Sequence, residues 1–162
     1  NKGSIEDKNI AWIGDGNNMA NTWIQAATIF NFNIKLACPK ERQPNESIIA
    51  LANSTDSNVE IVEDPNKAVI NADAIVTDTW VSMGDESLKD PKKVFGKYQV
   101  DEKLLSKAAD DAIFMHCLPA HRGEEVTKEV IDGPQSVVWD EAENRLHIQK
   151  AILSWAIADK LI

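Results

Sequence analysis

A chain of 162 residues with 43% apolar side chains can bury one core of ordinary size, and two separate domains would each be small. Its 17 basic residues against 26 acidic ones give a net charge of -9, and the lysines and arginines are scattered, which disfavours nucleic acid and anionic membrane surfaces as partners. No apolar run reaches the roughly 20 residues that span a bilayer, no charged-then-apolar signal segment opens the chain, and Cys38 and Cys117 are too few for a disulfide framework, so a soluble protein of the reducing cytoplasm is expected.

The opening Asn1-Lys2-Gly3-Ser4 reads as a linker, and the sequence as a piece of something longer. From there short apolar runs alternate with helical patterns. Strands are predicted at Asn9–Ile13, Asn33–Ala37, Val59–Val62, Ala74–Thr77 and 112–115. Met19, Trp23, Ala26, Ala27 and Phe30 share one helical face after the first strand, in a helix that begins at Asn17 or Asn18. Further helices are expected at Glu46–Asn53, at 65–71 with Pro65 in the first turn, and at 102–109. The charged stretch 84–99 breaks the rhythm and reads as a mobile loop. A last helix over 144–161 carries Leu146, Ala151, Leu153, Trp155, Ala156 and Leu161, too apolar for a solvated tail, so it is expected to pack on something, within this chain or on a partner. Trp12, Trp23 and Trp155 fall in core-like patterns.

This alternation predicts an α/β fold, a Rossmann-like parallel five-stranded sheet flanked by helices in three αβα layers, with strand order 3-2-1-4-5. In such sheets ligands bind beyond the carboxyl ends of the strands, where the strand order reverses. Three polar clusters stand at strand exits there: Gly14-Asp15-Gly16-Asn17-Asn18, then Asp78, then His116-Cys117. A thiol and a carboxylate at adjacent exits can grip and deprotonate an amine.

Each cluster also has a plainer reading. Gly14-Asp15-Gly16 resembles the start of a dinucleotide fingerprint, but Met19 stands where a third glycine belongs and Cys38-Pro39 follows the second strand without an acid for a ribose, so nucleotide binding is disfavoured. The segment then serves as a tight turn into a helix whose N-terminus, with the amides of Asn17 and Asn18, suits a carboxylate, while Asn18 alone serves equally as an N-cap. Asp78 caps a turn or anchors an ammonium group. Cys117 is an inert buried thiol or, at a strand exit, an accessible reactive one. His116 satisfies backbone groups, or joins Cys117 and His121 in a metal site that lacks enough ligands for a structural zinc. Arg145 is a surface ion pair or an oxyanion ligand.

Four segments in register, Gly14-Asp15-Gly16-Asn17-Asn18, Asp78-Thr79-Trp80-Val81-Ser82-Met83-Gly84, His116-Cys117-Leu118-Pro119 and Glu141-Ala142-Glu143-Asn144-Arg145, together resemble the second half of the ornithine carbamoyltransferases. The resemblance covers essentially the whole chain, 1–162, and implies an ornithine-binding domain without the preceding carbamoyl-phosphate domain. It implies carbamoyl transfer from carbamoyl phosphate to the δ-amino group of L-ornithine, giving citrulline and phosphate in arginine metabolism, with no metal and no cofactor. Asn18, Asp78, Ser82 and Met83 would hold the α-amino and α-carboxylate groups of ornithine. Cys117 and Asp78 would form the catalytic pair, with Cys117, Leu118 and Arg145 at the carbamoyl phosphate.

The family's Ser-x-Arg-Thr-Arg and His-Pro-x-Gln segments do not occur in the sequence, so these residues alone are expected to be inactive and monomeric, and the intact enzyme a homotrimer. Two rivals remain: a non-catalytic amino-acid-binding module, which has no use for a reactive thiol, and a transcarbamoylase for another amine such as putrescine, which has no carboxylate for Asn18 and Ser82-Met83-Gly84 to hold.

Overall fold

The computed structural model describes residues 2–55, 57–81 and 88–158. Strands β1 (Asn9–Ile13), β2 (Asn33–Ala37), β3 (Val59–Val62), β4 (Ala74–Thr77) and β5 (Ile113–His116) form one sheet in the order β3-β2-β1-β4-β5, with every pair parallel. The register aligns Ile13 of β1 with Thr77 of β4, and Thr77 with His116 of β5. Three successive strands therefore end level, and the residues after them share one edge.

Alternation along the strands builds two apolar layers. Ile10 and Trp12 of β1 face one way, with Ile34, Leu36, Ala74 and Val76, against Ala20, Ile24 and Ala27 of α1 (Asn18–Phe30) and Ala52 of α2 (Glu46–Asn53). Ala11, Ile13, Ile75 and Phe114 face the other way, onto Ala68 of α3 (Pro65–Ala68), Phe95 of α4 (Pro91–Phe95), Leu104 and Leu105 of α5 (Glu102–Leu105) and Val130 and Ile131 of α6 (Lys128–Ile131). The result is the expected three-layer αβα arrangement, closed by α7 (Val138–Ala158).

The predicted strands stand except that the last begins and ends one residue later, which puts His116 inside β5. Two helices are shorter than expected. Asn71, at φ 60°, turns the chain after α3, and beyond α5 the amides of Lys107 and Ala108 bond three residues back, to Leu104 and Leu105, which tightens the helix into turns. The stretch read as a mobile loop is in good part ordered: α4 and the 3₁₀ turn Gly96–Tyr98 bury Phe95 and Tyr98 completely, Phe95 stacks on Trp80, and the Tyr98 hydroxyl donates to the Glu63 carbonyl. Charge density hid two aromatic anchors there.

The last helix starts six residues earlier than predicted, so Arg145 lies two turns in rather than at its opening. Its apolar residues find no cover among the described residues, Leu146, Leu153 and Trp155 being each 59% exposed, and Trp155 is not a core residue. Phe30, expected on the packed face of α1, is also exposed, and Ile24 takes the buried place. Among the described residues no helix is long and apolar enough to cross a membrane.

Candidate functional site

The turn after β1 owes its shape to two glycines. Gly14 adopts φ 129°, where L side chains are strained, and donates its N–H to Ala37 at the end of β2. At Gly16 a Cβ would lie 2.3 Å from the backbone of Gln43 and Pro44, so only glycine lets these two loops touch. Between them Asp15 is 5% exposed and receives both Nε and Nη2 of Arg42 at 3.0 Å. Asp15 and Arg42 lock the loops to one another, and Asn17 is left at the mouth of α1.

Asn17, not Asn18, caps that helix: its Oδ1 accepts from Met19 and Ala20 N–H. Its Nδ2 donates to Asp78 Oδ2 at 2.9 Å, reaching from the β1 exit to the β4 exit. Asn18 is the first helical residue and is exposed beside it. Asp78 Oδ1 accepts from its neighbour's backbone, Thr79 N–H at 2.8 Å, and from Cys117 Sγ at 3.2 Å. One carboxylate thus ties three strand exits together, those of β1, β4 and β5.

Cys117 is half-buried, and its thiol pKa is pushed up to about 12, first by burial and then by the negative charge and hydrogen bond of Asp78. A depressed pKa marks a ready thiolate, and Cys117 here has the reverse. Sequence could name the thiol and the carboxylate but not the hydrogen bond between them. Glu141 of α7 adds to the effect on Cys117, and burial raises its own pKa above the usual carboxylate value.

Leu118 takes φ 55° and is joined to Pro119 by a cis peptide. The His116 imidazole catches its amide: Leu118 N–H donates to Nδ1 at 2.9 Å, while His116 N–H donates to Glu141 Oε2 at 3.1 Å. His116 thus satisfies backbone groups, the plainer of its two sequence readings. Donor atoms of Asp78, His116 and Cys117 lie within 4.8 Å of one another. Each is engaged in a hydrogen bond that a metal would have to displace. Glu125, which sequence reasoning passed over, is fully buried against His116. A second glutamate in a Gly-Glu-Glu run gives no sign of burial.

A cleft of about 590 Å³ opens beside these groups, between Met19 of α1, Cys117, Leu118, and Glu141, Arg145 and Ile148 of α7. Arg145 is exposed on its wall and makes no ion pair among the described residues, so it supplies positive charge to a cleft whose other charged lining residue is Glu141, with Asp78 bonded to Cys117 beside it. The structure therefore brings Asn17, Asp78 and Cys117 into contact and sets Leu118 and Arg145 along one cleft, with Asn18 on the rim of α1. Ser82, Met83 and Gly84 lie outside the described residues.

Residues 6–156 match the profile of the Asp/Orn binding domain of aspartate/ornithine carbamoyltransferase. The chain is 54% identical over 159 residues to an ornithine carbamoyltransferase of Brucella abortus, covering 98% of this chain and 51% of that protein. It is 53% identical over 156 residues to one of Nitrobacter winogradskyi, covering 96% and 51%. Among solved structures, the ornithine carbamoyltransferase of Pyrococcus furiosus superposes with a TM-score of 0.88 at 46% identity, over 94% of this chain and 50% of that one. The anabolic enzyme of Campylobacter jejuni gives 0.89 at 37% identity, over 97% and 54%. The chain spans about half the length of the curated relatives it matches.

Proposed function

The chain belongs to the aspartate/ornithine carbamoyltransferase family, through its Asp/Orn binding domain, and on that premise we propose that it supplies the ornithine half of a carbamoyltransferase. The reaction is attack of the δ-amino group of L-ornithine on the carbonyl carbon of carbamoyl phosphate, giving citrulline and phosphate. One observation carries the reading: the Cys117 thiol and the Asp78 carboxylate are paired at 3.2 Å on adjacent strand exits, beside an open cleft.

The chemistry follows from that pair. A free alkyl amine has a pKa near 10, so ornithine arrives as an ammonium ion that must be held and then stripped of a proton. Asp78 provides the counter-charge. Burial and the field of Asp78 and Glu141 keep the thiol protonated, and the incoming ammonium opposes that field and lowers the Cys117 pKa; the thiol proton is released to solvent, and the thiolate left behind takes one proton from the ammonium, which restores the thiol and frees the amine. Until the amine arrives, Cys117 orients and does not accept.

Leu118 then offers its backbone carbonyl to the carbamoyl amide and Arg145 reaches the carbamoyl oxygen, while Asn18, Asp78, Ser82 and Met83 hold the α-amino and α-carboxylate groups. Alignment of the two reactants can supply roughly 7–11 kcal/mol of such a barrier, so positioning together with polarisation of the carbonyl carries most of the catalysis. The phosphate is gripped by a domain outside this sequence, the intact enzyme is a homotrimer, and the 162 residues alone are monomeric and form no citrulline. Asp78→Asn in a protein of the relatives' full length tests the pair. The reading expects kcat/KM for ornithine to fall on the order of 10²–10⁴-fold, and an unchanged value would refute it.

A further inference from the structure

Glu125 has no place in the chemistry above, yet its side chain is 0% exposed. An apolar residue would fill the space without the cost of burying a carboxylate, so the interest of Glu125 lies in what its oxygens hold. Oε1 accepts the His121 backbone N–H at 2.6 Å and lies 3.3 Å from His116 Nε2. Oε2, without a hydrogen-bond partner among the described residues, lies 3.6 Å from His121 Nδ1. A single carboxylate therefore faces both ends of the turn Cys117-Leu118-Pro119-Ala120.

On the other side of the His116 ring, Nδ1 accepts from Leu118 N–H at 2.9 Å, so Nδ1 carries no proton and the ring proton belongs on Nε2, facing Glu125. The Nε2 contact is not aligned as a full hydrogen bond, but a carboxylate at that distance still favours the tautomer electrostatically. Leu118 needs such an anchor because φ 55° is unfavourable for an L residue with a side chain.

We propose that Glu125 is a positioning residue. It holds His116 in the tautomer that captures the Leu118 amide, and so fixes the direction of the Leu118 carbonyl; that this carbonyl meets a carbamoyl amide rests on the function proposed above. The relay runs from Glu125 through His116 to Leu118, and neither glutamate nor histidine touches the substrate.

Nitrogen-15 NMR of the imidazoles in the 162-residue chain tests the relay without any assay of transfer, with His116 assigned by Gln substitutions at His121 and His147. The proposal expects neutral His116 protonated at Nε2. A wild-type ring protonated at Nδ1, or at both nitrogens at pH 7.5, overturns it before any variant is made. Glu125→Gln keeps an acceptor oxygen and should preserve the tautomer and the slow exchange of the Leu118 amide; losing either overturns the proposal. Glu125→Met removes both oxygens at similar volume and should mix the tautomers and speed that exchange about tenfold or more.

In a transferase of the relatives' full length, Glu125→Met should lower kcat/KM for carbamoyl phosphate on the order of 10–100-fold, as removal of a histidine-orienting carboxylate does elsewhere, with KM for ornithine little changed and Glu125→Gln close to wild type. Equal losses for Met and Gln overturn the role. If the NMR results hold while no amine is carbamoylated, the relay stands and the proposed function falls.

Discussion

The Cys117 Sγ donates to Asp78 Oδ1 at 3.2 Å, so the thiol after β5 and the carboxylate after β4 are held in direct contact. Because Asp78 accepts a hydrogen bond from the thiol, burial and charge act together to keep Cys117 protonated.

The alkylation rate of Cys117 should therefore rise with a midpoint near pH 12, and at pH 8 the thiol should react far more slowly than a free one. Asp78→Asn should move the midpoint down, though not to the ordinary value, since desolvation is the larger cause. Iodoacetamide labelling followed by peptide mass spectrometry reads both, and a wild-type midpoint at or below the ordinary 9.0 contradicts the electrostatics described.

The same groups make stability depend on pH. Cys117 and the buried Cys38 both have folded pKa values raised above their unfolded ones, so the unfolded chain releases their protons first. Their contribution is fully present below pH 9.0 and is lost as pH rises toward about 12 for Cys117 and beyond that for Cys38. Urea denaturation between pH 8 and pH 11 should show falling stability, less steeply in Cys38→Ala. A flat profile, or one identical in the variant, would count against it.

Asn17 and Asn18 separate cleanly in two measurements. Asn17→Ala removes the α1 cap and should cost about 0.5–2 kcal/mol in thermal or chemical unfolding. Asn18→Ala, at an exposed first helical position, should leave stability within about 0.5 kcal/mol of wild type but weaken ornithine binding. The opposite assignment of the two effects would exchange their roles.

The two-residue ambiguity at Asn17 and Asn18 marks where sequence stops being enough. Apolar periodicity names all five strands, and connectivity alone puts the site at the β1, β4 and β5 exits, because both depend on local pattern and general topology. Which amide turns inward depends on the exact end of one helix, which the spacing of Met19 and Trp23 leaves open by a residue. The order within 91–98 is hidden for another reason: Phe95 and Tyr98 are isolated among lysines, and only their contacts with Trp80 and Glu63 reveal them as anchors. Glu125 is invisible for the same cause, a charged residue whose burial is decided by His116 and His121, far from any periodic pattern. Conversely α7 looks like core by composition and is not, since apolar side chains report a need for cover without saying what provides it.

Gly16 and Gly96 offer a paired test of the backbone argument. A Cβ at Gly16 would meet the Gln43–Pro44 backbone at 2.3 Å, so Gly16→Ala should destabilise by about 1–3 kcal/mol through overpacking. Gly96 has helical backbone angles and open space around it, so Gly96→Ala should be neutral or stabilising by up to about 1 kcal/mol. Denaturant midpoints for the two variants decide the matter, and equal behaviour would contradict the close-approach account of the Gly14–Asn18 turn.

The most direct measurement is citrulline formation from carbamoyl phosphate by a protein of the relatives' full length that carries these 162 residues, run with a panel of amines including ornithine and putrescine. The account predicts turnover with ornithine and none with putrescine, which has no carboxylate to hold. Turnover with putrescine would keep the chemistry of Cys117 and Asp78 and contradict the substrate, while no turnover with any amine would contradict the transferase itself.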